Sequence, residues 1–499
     1  MSAPYIDLGI YSVKETGQTG WGGAVGNGVT DDTIAIQNTI TYVETNAPGS
    51  VVWFPPGNYI ISDTLLVSTS DTTLYGEGLA TIQWPLNPIL DADMLQINGA
   101  DRVTIDGLTI EYQGNTTIFS CIQVLGNPDQ LVIRNTECNN GRAGIYVSDG
   151  CTALSIYDCT INTEAANVYA ALYLDSTSSA HDVNEANIVN LRCGNGGAAQ
   201  NTVGYGVLMG SCQAVHMVNC RFIFYNIGIA MQPGATGNCF NHKFDCCTSD
   251  VNGTNSFNVA PTADAQVYNV TFSNCWLGGS SSQGVYIPPV PSGSVVAGLN
   301  FSNCGFIHCA GAGIYLSGGS GITVTGGVCH SDGLSNVIIN GLVSGVTISG
   351  CSLAQSSTYG GPAATIGVTL EGGCSDVRID SCDLTGTTGW TALKATGSSV
   401  GANVVVTNCN GYNVPASTLT NTIPISGNLF SATDGVLTIG GAPIYYYGPV
   451  VVYVGASVST IVVSGNTTGL TSGSIPLAPG ENMKTTYTTA PVHFAVIGV

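Results

Sequence analysis

Charge is what this 499-residue chain has least of. Only 8% of its residues are Asp, Glu, Lys or Arg, and just 10 are Lys or Arg against 31 Asp or Glu, a formal net charge of −21. A surface so poor in cations argues against nucleic acid and anionic lipid as partners. A polyanionic ligand would be repelled except at a local cation cluster, so neutral glycans, or glycans bridged by a divalent cation, are the easier partners. No apolar run is long enough to span a bilayer, and Met1-Ser-Ala-Pro-Tyr lacks the basic start and apolar core of a signal peptide. Paired CxxC knuckles and Cys/His zinc spacing are missing, so no metal or cofactor is expected. Disorder is excluded by the 44% hydrophobic content, and 66 glycines imply many turns.

What is present is a refrain. Residues 270–277 read VTFSNCWL, and related phrases stand at 103–110 (VTIDGLTI), 154–161 (LSIYDCTI), 215–222 (VHMVNCRF), 299–306 (LNFSNCGF), 346–353 (VTISGCSL), 377–384 (VRIDSCDL) and 404–411 (VVVTNCNG). Apolar residues at slots one and three give the period of a strand. A turn residue follows (Gly107, Asp158, Asn219, Asn274, Asn303, Gly350, Ser381 or Asn408), then usually Cys. The asparagines of this slot read as an internal ladder, amide on amide. A second phrase, Gly-apolar-Tyr-apolar, occurs at 144–147, 284–287 and 313–316, with Ala first at 171–174; looser copies lie at 206–209, 228–231 and 367–370. Spacings of roughly 20 to 35 residues are those of solenoid repeats. At least two strands per repeat with no helix between them predict an all-β fold: a right-handed, single-stranded parallel β-helix of about a dozen coils. Seven of the 18 cysteines (Cys159, Cys220, Cys275, Cys304, Cys351, Cys382, Cys409) share one slot and would stack inward as free buried thiols, as suits a reducing cytoplasm.

The most specific local motif is GNGVTDDTIAIQ (26–37), with Thr30 or Asp31 placed to cap a helix whose Ile36, Ile40 and Val43 share a face. Asp31 and Asp32 read as cap residues rather than catalytic ones. VVWFPPGNYII (51–61) follows as strand, turn and strand. This pairing resembles the N-terminal signature of the pectate-lyase-like superfamily of parallel β-helix proteins. The resemblance implies a capping helix at the solenoid's end and a first coil within residues 1–62, then coils over 63–412. It also implies function classes: many members are bacteriophage tailspikes and tail fibres, others polysaccharide lyases and hydrolases. Residues 413–430 read as a linker. Residues 431–499, with strands at 445–454 and 458–464, read as a small C-terminal antiparallel β-sandwich similar to modules of phage fibres. Segments 175–187, 193–202, 248–264 and 288–294 are expected to leave the solenoid as loops.

The polygalacturonase motifs of that superfamily are absent: Arg378-Ile-Asp380 ends in the wrong residue, and His330 stands in Cys-His-Ser. The best catalytic candidates are Asp149 and Asp175, each following a tyrosine strand in what would be adjacent coils, with Asp182 and Glu185 (and His181) on the adjoining loop. Alternation points Tyr146, Tyr173, Tyr286 and Tyr315 outward, and Trp276 with them, as an aromatic ladder that is covered by loops, lines a subunit interface or stacks on sugar rings. The expectation is a virion tailspike or tail fibre, assembled in the host cytoplasm as a homotrimer with other virion proteins, that binds host cell-surface polysaccharide. A polysaccharide lyase or glycoside hydrolase is the alternative, and a structural virion rod without glycan affinity the second.

Overall fold

A computed structural model describes residues 9–84, 92–113, 120–163, 168–175, 182–196, 202–235, 237–331, 333, 335–355, 364–387, 389–396 and 404–411. Beyond these it describes the segments 432–433, 436–439, 450–454, 460–463, 466–468, 473–477, 483–486 and 494–498. The chain is a mostly-β parallel solenoid of about 12 turns, and it divides into two compact units, Met1–Ala310 and Gly311–Val499.

Each coil carries three strands rather than the minimum of two. In one coil of the first unit these are Ser155–Tyr157, Thr160–Thr163 and Ala170–Leu174; in the next, Asn187–Val189, Arg192–Asn195 and Tyr205–Met209. Equivalent strands pair in parallel without a slip, Ile156 beside Ile188, Ile161 beside Cys193 and Leu172 beside Val207. The refrain therefore spans two sheets. Its first half is a strand of the first sheet and its second half a strand of the second; the Gly-apolar-Tyr-apolar phrase makes the third.

The corner between the first and second sheets explains the refrain's chemistry. Its single turn residue adopts a left-handed conformation, with φ of 72° at Gly107, 57° at Asn190, 53° at Asn219 and 54° at Asn274. Gly and Asn tolerate that region best. The backbone ladder runs on through it: Asn219 N–H reaches Asp245 O at 2.9 Å and Asn274 N–H reaches Ser302 O at 2.9 Å. The asparagine ladder exists, Asn219 Nδ2 to Asn190 Oδ1 and Asn190 Nδ2 to Asp158 Oδ1 both at 2.7 Å. It is external, not internal, because a residue one place before an inward cysteine must itself face out. The cysteine slot is inward as expected. All 18 cysteines are free and all but two are buried, Cys246 being exposed and Cys409 intermediate. Cys275 Sγ donates to Phe244 O (3.4 Å) and Ser273 O (3.3 Å), satisfying the thiol inside the core.

Helix α1 (Thr33–Asn46) buries Thr33, Ile36, Thr39, Ile40 and Val43, the spacing of one apolar face. It packs on the strands Ile10–Ser12, Val51–Phe54 and Leu65–Val67. Asp32 occupies the N-cap position but makes no cap bond. Its carboxylate instead accepts Val25 N–H (2.7 Å) and Gly26 N–H (2.9 Å), tying the glycine loop to the helix start. Asp31 accepts Thr33 N–H at 3.0 Å. Residues 51–61 are strand, turn and strand.

Three of the expected loops are partly regular. Residues 248–264 contain strands Thr248–Asp250 and Asn255–Val259, 193–202 overlaps Arg192–Asn195, and 175–187 contains Val183–Asn184. The second unit continues parallel pairing, Ile314–Leu316 beside Ser335–Ile339 and Ser344–Ser349 beside Ser375–Asp380. Its C-terminal strands switch to antiparallel pairing. Val436–Ile439, Met483–Thr486 and Thr460–Val463 form one sheet, and Gly473–Leu477, Val450–Val454 and Phe494–Gly498 another. The linker segment, 413–430, lies outside the described residues.

Candidate functional site

The outward positions of the third sheet are where the first unit gathers aromatic and acidic groups. Four successive coils place Gln96, Gln123, Tyr146 and Tyr173 side by side. Gln96 Nε2 donates to Gln123 Oε1 at 2.6 Å. Tyr146 and Tyr173 stack with centroids 4.6 Å apart and planes at 5°. Tyr169 leans on Tyr173 at 5.1 Å and 60°. The ring faces between Tyr146 and Tyr173 are spent on each other, so this pair offers edges and hydroxyls outward.

The ladder is not continuous. After Tyr173 the same column holds Leu208, Ala230 and Asn258 before it reaches Tyr286. Leu208 and Ala230 are buried despite facing outward, packed with Ala170 and Ile227. Tyr315 lies in the second unit, its hydroxyl accepting Asn340 Nδ2 at 3.2 Å. Trp276 belongs to the second sheet, beside Gly305 of the next coil. Its Nε1 is buried without a hydrogen-bond partner. A single aromatic track through all five residues is therefore ruled out: the turn preceding Trp276 carries it round the corner to another face.

Asp175 ends the Tyr173 strand. Its Oδ2 accepts the Tyr173 hydroxyl at 2.6 Å and its Oδ1 accepts Ser211 N–H at 3.0 Å. Gly210 makes this possible, because a Cβ there would collide with the Asp175 carboxylate. Asp182 is half-buried nearby. Burial raises its pKa, and the Asp175 charge raises it further. Burial, with the Asp175 charge, likewise pushes the Tyr146 hydroxyl up to about 12. Asp93, on the entry to the strand Leu95–Asn98, also acts on Tyr146. Its own pKa is raised by burial, offset in part by bonds from the Ser120 hydroxyl and N–H.

The other two acidic candidates are not brought here. Val147 pairs with Leu174, so the neighbour of Asp175 in the preceding coil is Ser148; Asp149 is one residue beyond it. Glu185 is exposed at a left-handed turn of the first sheet, φ 53°, between Val183–Asn184 and Asn187–Val189. His181 lies outside the described residues. Ser211, Gly210 and Asp93 were not singled out by the sequence, where none belongs to a repeated phrase.

Inside the solenoid, Cys212, Cys239 and His242 bring their ligand-type atoms within 4.8 Å of one another. The two sulfurs are 3.6 Å apart, and Cys212 Sγ is 3.8 Å from His242 Nε2. His242 Nδ1 accepts Val215 N–H at 3.2 Å, and burial lowers its pKa to about 3. The ring is thus neutral with its proton on Nε2, facing Cys212. A metal-bound imidazole donates from its free nitrogen; here that nitrogen accepts. The trio fits a satisfied core better than a metal centre.

Residues 22–248 match the family described as rhamnogalacturonase A/epimerase, pectate lyase-like. Residues 255–468 match the right-handed beta helix region family. No curated protein matches. Among solved structures, the chain is similar to the A-module of mannuronan C-5 epimerase AlgE4 from Azotobacter vinelandii, at 13% identity over 80% of this chain and 95% of that one, TM-score 0.44. It is similar to PfbA, a surface adhesin of Streptococcus pneumoniae, at 14% identity over 80% and 91%, TM-score 0.41. Pre-mature gene product 12 of bacteriophage phi29 is similar at 16% identity over 80% and 56%, TM-score 0.48. Residues 22–248 thus match a pectate lyase-like family and residues 255–468 a right-handed β-helix family, in keeping with the parallel register seen from coil to coil.

Proposed function

We propose that this chain binds a polysaccharide along the third sheet and hydrolyses it, with Asp182 as proton donor and Asp175 as base. The observation that carries the reading is the unequal environment of two neighbouring carboxylates. Asp182 is biased toward its protonated form by burial and by Asp175. Asp175 is held by a backbone N–H and a tyrosine hydroxyl. Glycoside hydrolysis uses such a pair. The acid gives its proton to the departing glycosidic oxygen as the C–O bond breaks. The base takes a proton from the water whose oxygen bonds to the anomeric carbon. Gln96, Gln123 and the tyrosine edges supply hydroxyl partners and apolar contact for sugars on either side. The family match to a rhamnogalacturonase/epimerase model supports a carbohydrate-active role.

The test is release of new reducing ends from a panel of neutral and acidic bacterial and plant polysaccharides. Asp182→Asn should lose about 10²- to 10⁴-fold in rate while still binding. Wild-type protein that cleaves nothing in the panel, or an Asp182→Asn variant that cleaves normally, defeats the proposal.

A second reading concerns where such a solenoid works. Antiparallel sheets follow the coils, and the cysteines are unpaired. Both suit a virion tailspike or tail fibre assembled in a host cytoplasm. In this reading helix α1 closes one end, the antiparallel sheets pack as a sandwich, and three chains associate to present the third sheet to host surface glycan. Light scattering on the purified chain checks this: a trimer mass supports it and a monomer mass counts against it. An intact trimer that binds no glycan on an array would leave only a structural rod.

A further inference from the structure

The few cations of the first unit are not spread evenly. Arg192 and Arg221 are paired in register on the second sheet. His216 and Lys243 are paired in register on the first sheet of the same stretch of coils. The exposed turn residue Asn219 separates the two pairs within one coil. Three of the chain's ten Lys and Arg thus lie within three successive coils, around one corner of a molecule with net charge −21.

Elsewhere arginine is neutralised locally: Arg102 by Asp71 at 2.6 Å and Arg134 by Asp106 at 2.9 Å. Among the described residues no ion pair engages Arg192, Arg221 or Lys243, although Asp245 lies two residues along from Lys243. Glu137, in the column of Arg192, accepts Asn162 Nδ2 at 3.1 Å. Asp250, diagonal to Arg221, accepts Val251 N–H at 3.0 Å. Like charges directly opposite across strands are destabilising, and Arg192 and Arg221 stand so opposed. His216 and Lys243 also line a recess of about 410 Å³, with Asn241 and Asn269 among others. A second recess, of about 470 Å³ and lined by Glu111, Asn139, Asn140 and Asn162 among others, reaches Gly194 and Ile223, two residues along the strands from Arg192 and Arg221.

We propose that this corner is a second saccharide site, separate from the third-sheet site, that takes a polysaccharide bearing acidic groups. The guanidinium forks of Arg192 and Arg221 would hold carboxylate or sulfate oxygens, and the asparagine-lined recesses would take hydroxyls. Coil spacing, about 4.8 Å, is comparable to the length one pyranose adds to a chain, so successive coils can meet successive sugars. A nucleic acid is disfavoured, because a dense phosphate backbone would overrun three cations into an acidic surface.

The full-length chain is titrated calorimetrically with hexasaccharides of hyaluronan (carboxylate only) and chondroitin sulfate (carboxylate and sulfate), with neutral maltohexaose and with hexathymidylate. Expected is binding of at least one acidic hexasaccharide, weakened by raising salt and weakened about tenfold or more in R192Q/R221Q. R192K/R221K should keep the salt dependence while losing affinity, which isolates the fork from the charge. Asp182→Asn should bind here as wild type does, so this site and the proposed hydrolytic site can fail separately. Equal melting temperatures confirm that the surface variants remain folded. The proposal is overturned if neither acidic hexasaccharide binds, if R192Q/R221Q binds them unchanged, if maltohexaose competes equally, or if hexathymidylate is preferred.

Discussion

Replacing Phe272 with alanine should be among the most damaging single changes in the coils. Phe272 is 0% exposed. It lies between two rings of adjacent coils, Phe244 at 4.4 Å and Phe301 at 5.2 Å, with planes at 7° and 11°. A third ring, Phe257 of the third sheet, leans on it at 4.7 Å. A buried Phe→Ala change costs about 3–5 kcal/mol, more where the site cannot collapse. Here the backbones above and below are fixed by ladder hydrogen bonds, and three aromatic contacts worth about 0.5–1.5 kcal/mol each are also lost. The expected cost is therefore at the upper end, about 5 kcal/mol. Phe240 provides the control. It stacks on Tyr268 just as flatly, 5.0 Å and 1°, but on the outside and half-buried; Phe240→Ala should cost about 1 kcal/mol. Urea unfolding followed by circular dichroism gives the two values. Amide exchange shows whether loss of protection is confined to the coils around Phe272, as nearest-neighbour coupling in a solenoid requires. Costs for the two variants within about 1 kcal/mol of each other would refute the argument that burial, not stacking, dominates.

His242 makes a pH prediction. Its folded pKa, about 3, lies below the 6.5 of the unfolded chain, so the unfolded state binds the extra proton. Its contribution is unchanged above pH 6.5 and is lost as pH falls from there through 3, by at most about 5 kcal/mol. A His242→Gln variant, compared with wild type by urea midpoint at stepped pH, should lack that component; parallel curves would contradict it. Thiol titration of the native protein should show one fast cysteine, Cys246, and a slower Cys409, rising to all 18 in denaturant. Several fast thiols, or fewer than 18 when unfolded, would contradict the inward slot or the absence of disulfides. Gly210→Ala should displace the Asp175 carboxylate from Ser211 N–H. Polysaccharide cleavage should then fall by about 10²-fold from misplacement alone, with little change in melting temperature; full activity would remove Asp175 from the mechanism.

The inward half of this fold was legible because each inward position has a neighbour of the same kind directly above and below. A left-handed corner favours Asn, Asp or Gly, and the residue after it faces the core, most often as Cys, so the two-sheet phrase repeats. The third strand was visible as Gly-apolar-Tyr-apolar, but segments of varying length precede it, which made the refrain look irregular. The offset of Asp149 can be counted in the sequence. It stands three residues after Tyr146, whereas Asp175 stands two after Tyr173, and a period of two puts those positions on opposite sides. The same count would have turned the asparagine ladder outward. Trp276 needed one further step, recognising that the corner before it changes the sheet.

Outward columns carry no such constraint. The series Gln96, Gln123, Tyr146, Tyr173, Leu208 changes character within five coils, and the Arg192–Arg221 pair occupies a slot that elsewhere holds Thr, Glu, Trp or Gly. Solvent imposes little on such positions, so repetition cannot identify them. What selects them is a ligand crossing several coils at once, and a ligand's chemistry varies along its length as the column does. In a solenoid, then, the outward positions that break the repeat without any packing reason are the ones to test for binding. The stacked tyrosines with Asp175 and the opposed arginines are two such places in the first unit.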